Sequence, residues 1–573
     1  MDNSGICFIF GVMFIRYKTT PNSKKTSVQL VETFRQGKSV KQKVVRHIGS
    51  AMNEEEKHAL RKLGEQIMAK MQEGVQPDLF GKENLMQQIS KAEQVGNGNP
   101  LIVDLTDIKE EKRIRKGIHQ IYGLVYNEIG FGKVIKNPAR KQASVNMLRH
   151  MVMTRIAQPS SKLQSVHLLD QEYGVKLDVN AVYRMMDLVD DTAIEKIKQY
   201  GHSHSMGLLG GVIDVIFYDC TTLYFESFIE DGLKENGFSK DGKYNQPQVL
   251  LALMVTENGL PIGYDLFNGS RFEGHTLEDA LKRLRETYQI GKVVFVADAA
   301  LLSNDNMMMM QAEKQPFIVG ARIKNMSKDM AGKIVDRSDY KELYPDEKQE
   351  HAITYKEIML DETLRLLVTH SYQREAKDKH DREKALEQLA SRLKKSKSPK
   401  SLLSNHGYKK FLMIEGQATL VTNEEKIKEA AAWDGLHGII TNITGEPATK
   451  LLSHYKGLWQ VEETFRISKH DLRMRPIFHW TPKRIKAHIA ICFMALVCTR
   501  SLEHKVRLQY KKLSPAAIRA ALMKVEVSIL KDHKTGKYYG LPSAVTQDAK
   551  KIYQICGLRL TDTPYLIKAP PKK

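Results

Sequence analysis

Cysteine is scarce and scattered in this chain of 573 residues: Cys7, Cys220, Cys492, Cys498 and Cys556 are odd in number and include no Cys-x-x-Cys pair. That spacing indicates neither a disulfide framework nor a zinc site and fits a reducing cytoplasm. Signatures of other hydrolytic chemistries are missing too. No Gly-x-Ser-x-Gly or His-Glu-x-x-His occurs, and the Gly37-Lys38-Ser39 imitation of a phosphate-binding loop has Glu32 where the upstream glycine must stand. Serine-hydrolase, zinc-protease and ATP-driven readings therefore fall away. The apolar stretch at residues 5–15 is too short to span a bilayer and follows Asp2 rather than basic residues, so neither a membrane anchor nor a signal peptide is expected. Met13 is the expected translation start.

What the chain has in excess is positive charge. Lys plus Arg is 88 against 67 for Asp plus Glu, a net charge of +21. Such an excess attracts polyanions through counterion release, although a basic protein with no such partner has the same composition. The length allows several domains, each with its own core.

Three acidic residues stand out. Asp219 lies in a stretch dense in β-branched and aromatic residues (212–225), and Asp298 ends the short apolar run from Val293 to Ala297. Between them, residues 248–256 and 260–267 read as two strands joined by Glu257-Asn258-Gly259. Thr276 then caps a helix with Leu277, Ala280, Leu281 and Leu284 at helical spacing. The third acid, Glu462, sits on an expected helix from Tyr455 to Lys469. Because 462 − 455 = 7 and 469 − 462 = 7, Tyr455, Glu462 and Lys469 share one face, drifting only about 20° per heptad. Asp214 and Glu463 are rivals on the opposite strand face and another helix face.

The order strand, strand, strand, helix, strand, with carboxylates on the first and fourth strands, is ribonuclease-H-like. Tyr455, Glu462 and Lys469 match the Tyr-x2-Arg-x3-Glu-x6-Lys signature, and the chain resembles DDE insertion-sequence transposases of the IS-four-like superfamily. Residues 217–223 and 296–302 look like that family's two Asp motifs, and residues 17–50 look like the β-rich entry of the IS-sixteen-thirty-four branch. Leu458 stands where the signature has Arg, a departure that Arg466 could make good.

The resemblance implies an α/β protein: a ribonuclease-H-like catalytic domain interrupted by a β-rich insertion, preceded by a helical DNA-binding region and a small N-terminal β unit. The expected divisions are 1–100 (β unit, helix and linker), 101–205 (helical, DNA-end binding), 206–320 (core, first part), 321–435 (insertion), 436–505 (core with the Glu helix) and 506–573 (basic C-terminal region). It implies metal-dependent cleavage and strand transfer of DNA, with Asp219, Asp298 and Glu462 holding two Mg²⁺ ions, for which Mn²⁺ can substitute. Tyr455, Lys469 and Arg466 would hold a terminal phosphate. The partners would be double-stranded DNA, at the terminal inverted repeats and the target, and a second copy of the chain in a synaptic homodimer. The setting would be a bacterial cytoplasm. A nuclease that never joins strands, and a non-catalytic DNA-binding derivative, remain alternatives.

Residues 106–200 read as helical. Within them 161–173 and 179–188, joined by a short turn with Asp178 as N-cap, suit an ordinary bundle better than a helix-turn-helix on pattern alone; flanking Lys112, Arg113, Arg115, Lys116, Arg140, Lys141 and Arg149 bring the DNA reading level with it. Strands are expected at 351–360, 365–371, 411–414 and 418–422, with a charged helix at 374–395, and residues 394–400 read as a basic loop. Trp433 is either a core residue or an aromatic that holds a flipped base. Residues 485–502 read as an apolar helix backing the sheet.

Overall fold

The computed structural model describes residues 13–19, 26–36, 39–51, isolated positions between 54 and 68, and then 103–211, 213–226, 229–237, 245–286, 293–301, 303–344, 352–395, 411–415 and 419–567. Residues 1–12 ahead of Met13, the linker expected at 74–100 and the end of the basic loop (396–400) lie outside these residues. The chain divides into two units, 1–88 with 569–573, and 89–568.

In the first unit, β1 (Met13–Thr19), β2 (Thr26–Gln36) and β3 (Ser39–Ala51) form an antiparallel meander. Val28, Leu30 and Val31 are all buried, which strict alternation forbids; register shifts at Val28/Gln29 and Leu30/Val31 let neighbours face the same side.

The second unit opens with a strand where a helix was expected. Residues of β4 (Ile108–Arg115) pair antiparallel with residues more than 400 positions later, so tertiary pairing overrides the local helical reading. Five helices follow: α1 (Gly117–Ile129), α2 (Gln142–Ala157), α3 (Lys162–Tyr173), α4 (Val179–Met186) and α5 (Asp191–Leu208). Ser161 Oγ accepts from Gln164 N to cap α3, and the Asp178 carboxylate accepts from Asn180 N and Ala181 N to cap α4. The turn between them begins at Gly174, whose φ of 64° is left-handed.

The central sheet comprises β5 (Val215–Tyr224), β6 (Gln248–Thr256), β7 (Pro261–Asn268), β8 (Val294–Ala297), β9 (Phe317–Ala321), β10 (Lys341–Glu342), β11 (Ile353–Met359), β12 (Arg365–Ser371) and β15 (Leu436–Thr441), in the order β10-β11-β12-β15-β9-β8-β5-β6-β7. Strands β5, β8 and β9 are parallel and their other neighbours antiparallel. The strands expected from 351 to 371 therefore extend the main sheet. Among the described residues of the expected insertion, β13 (Leu412–Glu415) and β14 (Thr419–Thr422) form a separate hairpin.

Helices α6 (Leu277–Glu286), α7 (Asn304–Ala312) and α8 (Lys328–Val335) share one apolar core with the even-numbered residues of β5, Ile216, Tyr218 and Cys220. After the charged α9 (Tyr372–Lys395) and α10 (Glu424–Ala431), helices α11 (Ala448–Lys456) and α12 (Trp459–Arg466) pack against strands of this sheet. Helix α13 (Pro482–Gln509) is long and apolar enough to cross a membrane, yet 94% of its apolar window is buried among α1, α2, α5 and β7; it is a core helix. Last come α14 (Pro515–Met523), β16 (Glu526–Asp532), β17 (Tyr538–Pro542), α15 (Gln547–Ile555) and β18 (Tyr565–Ile567), with a four-stranded sheet in the order β18-β17-β16-β4.

Candidate active site

Asp219 lies midway along β5, where parallel pairing with β8 ends: Tyr218 is opposite Ala297, and the next residue on each strand is an aspartate. Asp219 and Asp298 therefore emerge side by side at the C-terminal limit of a parallel pair, where α/β sheets bind ligands. Side chains alternate along β5, and Tyr218 and Cys220 face α6, so Asp219 shares the other face with Phe217. That face meets the α11–α12 turn, because a Cβ on Gly457 would stand 2.4 Å from Phe217 Cζ. Asp219 thus faces the helix pair that carries Tyr455 and Glu462.

The expected continuous helix from Tyr455 to Lys469 is broken in two. Tyr455 lies in the last turn of α11, Gly457 and Leu458 form a tight turn, Glu462 is in α12, and Lys469 lies in a π-helical stretch from Ile467 to Asp471. Backbone dihedrals stay right-handed through the turn, and Leu458 N donates to Tyr455 O at 3.0 Å, so winding continues with a 3₁₀ step. Leu458 is buried, which accounts for its apolar side chain.

Tyr455 is the hub of the electrostatics. A Cβ on Gly320 would stand 2.6 Å from its hydroxyl and 3.0 Å from Ala299 N, which places that hydroxyl next to the Asp298 loop. Burial and the charges of Asp298 and Glu462 push its pKa up to about 12, so it stays a hydrogen-bond donor at neutral pH. Its ring lies 5.3 Å from that of His437, whose pKa burial and Arg374 push down to about 4 against the pull of Asp298. His437 on β15 and Arg374 on α9 were missed in the sequence. Their local patterns are those of an ordinary strand and a charged helix, and only strand pairing brings them beside Tyr455.

The rivals are placed elsewhere. Asp214 is exposed at the start of β5 and lines a cavity of about 710 Å³ with Glu257, Glu446, Lys450 and His454, at the opposite limit of the strand. Glu463 accepts a two-bond fork from Arg466, at 2.8 and 2.7 Å, which holds its carboxyl below the usual range. Arg466 is thereby committed to Glu463, with Asp471 3.6 Å away. Glu462 is exposed and makes no ion pair among the described residues. Trp433 packs against the sheet core.

Asp219, Asp298 and Glu462 offer hard oxygen donors, which suit a hard divalent cation. Among the described residues, however, no three His, Cys, Asp or Glu side chains are gathered closely enough to hold a metal ion. Both aspartates are turned back on the chain: Cys220 N donates to Asp219 Oδ1 at 2.7 Å and Ala299 N to Asp298 Oδ1 at 2.6 Å.

Neighbouring carboxylates where parallel strands stop pairing, in a chain of net charge +21, are features that an α/β enzyme acting on a polyanion would use. A family model of the transposase DDE domain matches residues 210–498, and one of the IS1634 family transposase N-terminal domain matches residues 15–78. The chain belongs to the DDE transposase family, in its IS1634 branch; it is a DNA-cleaving and strand-transferring enzyme that depends on divalent metal. No curated protein sequence matches. Among solved structures, the piggyBac transposase synaptic complex with hairpin DNA is similar at 11% identity over 71% of this chain and 77% of that one, with a TM-score of 0.35. The Mos1 transposase paired-end complex with left transposon end is similar at 9% identity over 30% and 57%, with a TM-score of 0.14. Both scores are too low to carry an argument.

Proposed function

We propose that the chain cuts and pastes its own insertion sequence, using Asp219, Asp298 and Glu462 as the catalytic carboxylates of a ribonuclease-H-like core. The observation that carries this reading is the register that sets Asp219 beside Asp298, on the sheet face that meets α11 and α12. The strand order β7-β6-β5-β8-β9, with β6 antiparallel and α6 between β7 and β8, supports the ribonuclease-H-like assignment.

The three carboxylates would hold two Mg²⁺ ions, with Mn²⁺ able to substitute, and these supply positive charge beside the attacking and leaving oxygens of a phosphodiester. The aspartates must first leave their own backbone amides, a side-chain rotation within β5 and the Asp298 loop. The Tyr455 hydroxyl donates to a phosphate oxygen of the bound end, and Lys469 adds charge. Arg466 joins them only by exchanging Glu463 for phosphate. Helix α4, which follows α3 across the turn at Gly174, presents Asn180 and Arg184 to solvent and reads the terminal inverted repeat. Two copies bring two ends together, and target DNA enters the same face.

Alanine in place of Asp219, Asp298 or Glu462 should each reduce Mg²⁺-dependent strand cleavage by at least about a thousandfold while leaving end binding in chelator unchanged. Cleavage assays and gel shifts with the same end fragment test this, and near-normal cutting by any one variant removes that residue from the site. Joining of a cut 3′ end to target separates transposition from simple nuclease action.

A further inference from the structure

Past the catalytic helix, residues 472–481 expose two large aromatic rings on a firmly held backbone. Phe478 is 61% and Trp480 71% exposed, while Leu472, Met474 and Ile477 are each 2% exposed. His479, between the two rings, turns inward toward Tyr183 and His488, so Phe478 and Trp480 share the outward side of an extended segment.

Buried groups hold this backbone from below. Arg155, 5% exposed, donates to Leu472 O at 3.5 Å and Arg473 O at 3.4 Å, and Lys234, 3% exposed, donates to Trp480 O at 3.2 Å. Ile477 N donates to Tyr224 O, and His488 Nε2 lies 3.1 Å from Met474 O. Anchored apolar rings that face solvent carry a solvation cost that folding does not require.

The surroundings say what covers them. From Leu472 to Leu502 there is no acidic residue, whereas Arg473, Arg475, Lys483, Arg484 and Lys486 all fall in its first half, Arg484 and Lys486 being paired with Asp187 and Asp191. Arg473 and Lys483 are exposed. Arg475 lies over the ring of Tyr224, five residues beyond Asp219 on β5, which sets the segment roughly 17 Å from that carboxylate along the strand. Flat rings interleaved with cations bind unstacked bases while the cations take the flanking phosphates.

We propose that Phe478 and Trp480 form a stacking site for unpaired bases of the DNA strand beside the reacting end, with Arg473 and Lys483 on its phosphates. This rests on the chain's acting on DNA and assigns to the 472–481 segment the role that sequence reading offered to Trp433.

The test uses the full chain in chelator, with a fully paired duplex and the same duplex carrying a short unpaired thymidine stretch. The wild type should prefer the unpaired probe. Trp480→Ala and Phe478→Ala should each weaken binding to it by about tenfold, with less than about twofold change on paired duplex, and Trp480→Phe should keep the preference. A double alanine variant that retains the preference overturns the proposal, as does equal loss on both probes or a wild type without preference. Loss of self-association with the preference intact would assign the rings to a protein interface instead. Metal-dependent cleavage by the wild type is scored separately, so the stacking site can fail while the transposase reading stands.

Discussion

At the residue scale, the two arginines near the site are distinguished by their partners. Arg466 spends a two-bond fork on Glu463, whereas Arg374 has only the looser Asp378 at 3.8 Å and acts electrostatically on both Tyr455 and His437. Arg374→Ala should therefore weaken binding of the end by about five- to tenfold, and Arg466→Ala by about twofold or less. Titrations with a labelled end fragment decide it; the reverse order would return Arg466 to the position left open by Leu458. Asp219 and Asp298 stood out in the sequence because each lies within or directly after a run of apolar residues. Arg374 was not, because a charged side chain on a charged helix has no local mark.

At the element scale, the break between α11 and α12 is set by close packing. Any side chain at Gly457 collides with Phe217, two residues before Asp219. Gly457→Ala should destabilise the fold by about 1–3 kcal/mol and depress cleavage more than DNA binding, since α12 is displaced from β5. Adding Phe217→Leu removes the colliding ring atoms and should recover part of both losses; a thermal melt and a cleavage time course on the single and double variants would show no such recovery if the break had another origin. Strand boundaries at 248–256 and 365–371 and the cap at Asp178 follow from short-range pattern and agree with the structure. The helix break does not, because heptad arithmetic assumes uniform winding and the cause lies on a strand more than 200 residues earlier.

At the scale of the whole molecule, buried imidazoles make stability depend on pH. His150, beside Arg149 and His119, is pushed down to about 3 by burial; His479, near Lys162, Arg155 and Arg484, is likewise pushed to about 3. Their native values lie below the unfolded value of about 6.5, so acid protonates the unfolded chain first. This contribution is complete above about pH 6.5 and is lost as pH falls toward about 3. Lys162, buried against His488 and lowered to about 7, adds stability as pH rises from there toward its unfolded value of about 10.4. The melting temperature should drop steadily from pH 7 to pH 4.5, and a flat profile would contradict these environments.

The sequence alone determined the local chemistry: which strand carries Asp219 and which one leads into Asp298, where helices begin, and that the chain suits a polyanion. Those are properties of neighbouring residues. Tertiary structure decided that Ile108–Arg115 is a strand, that β11 and β12 extend the central sheet, that Tyr455 meets His437 and Arg374, and that Trp480 rather than Trp433 faces solvent. Each depends on segments tens to hundreds of residues apart coming together, and the free energy of such pairing has no counterpart in local periodicity.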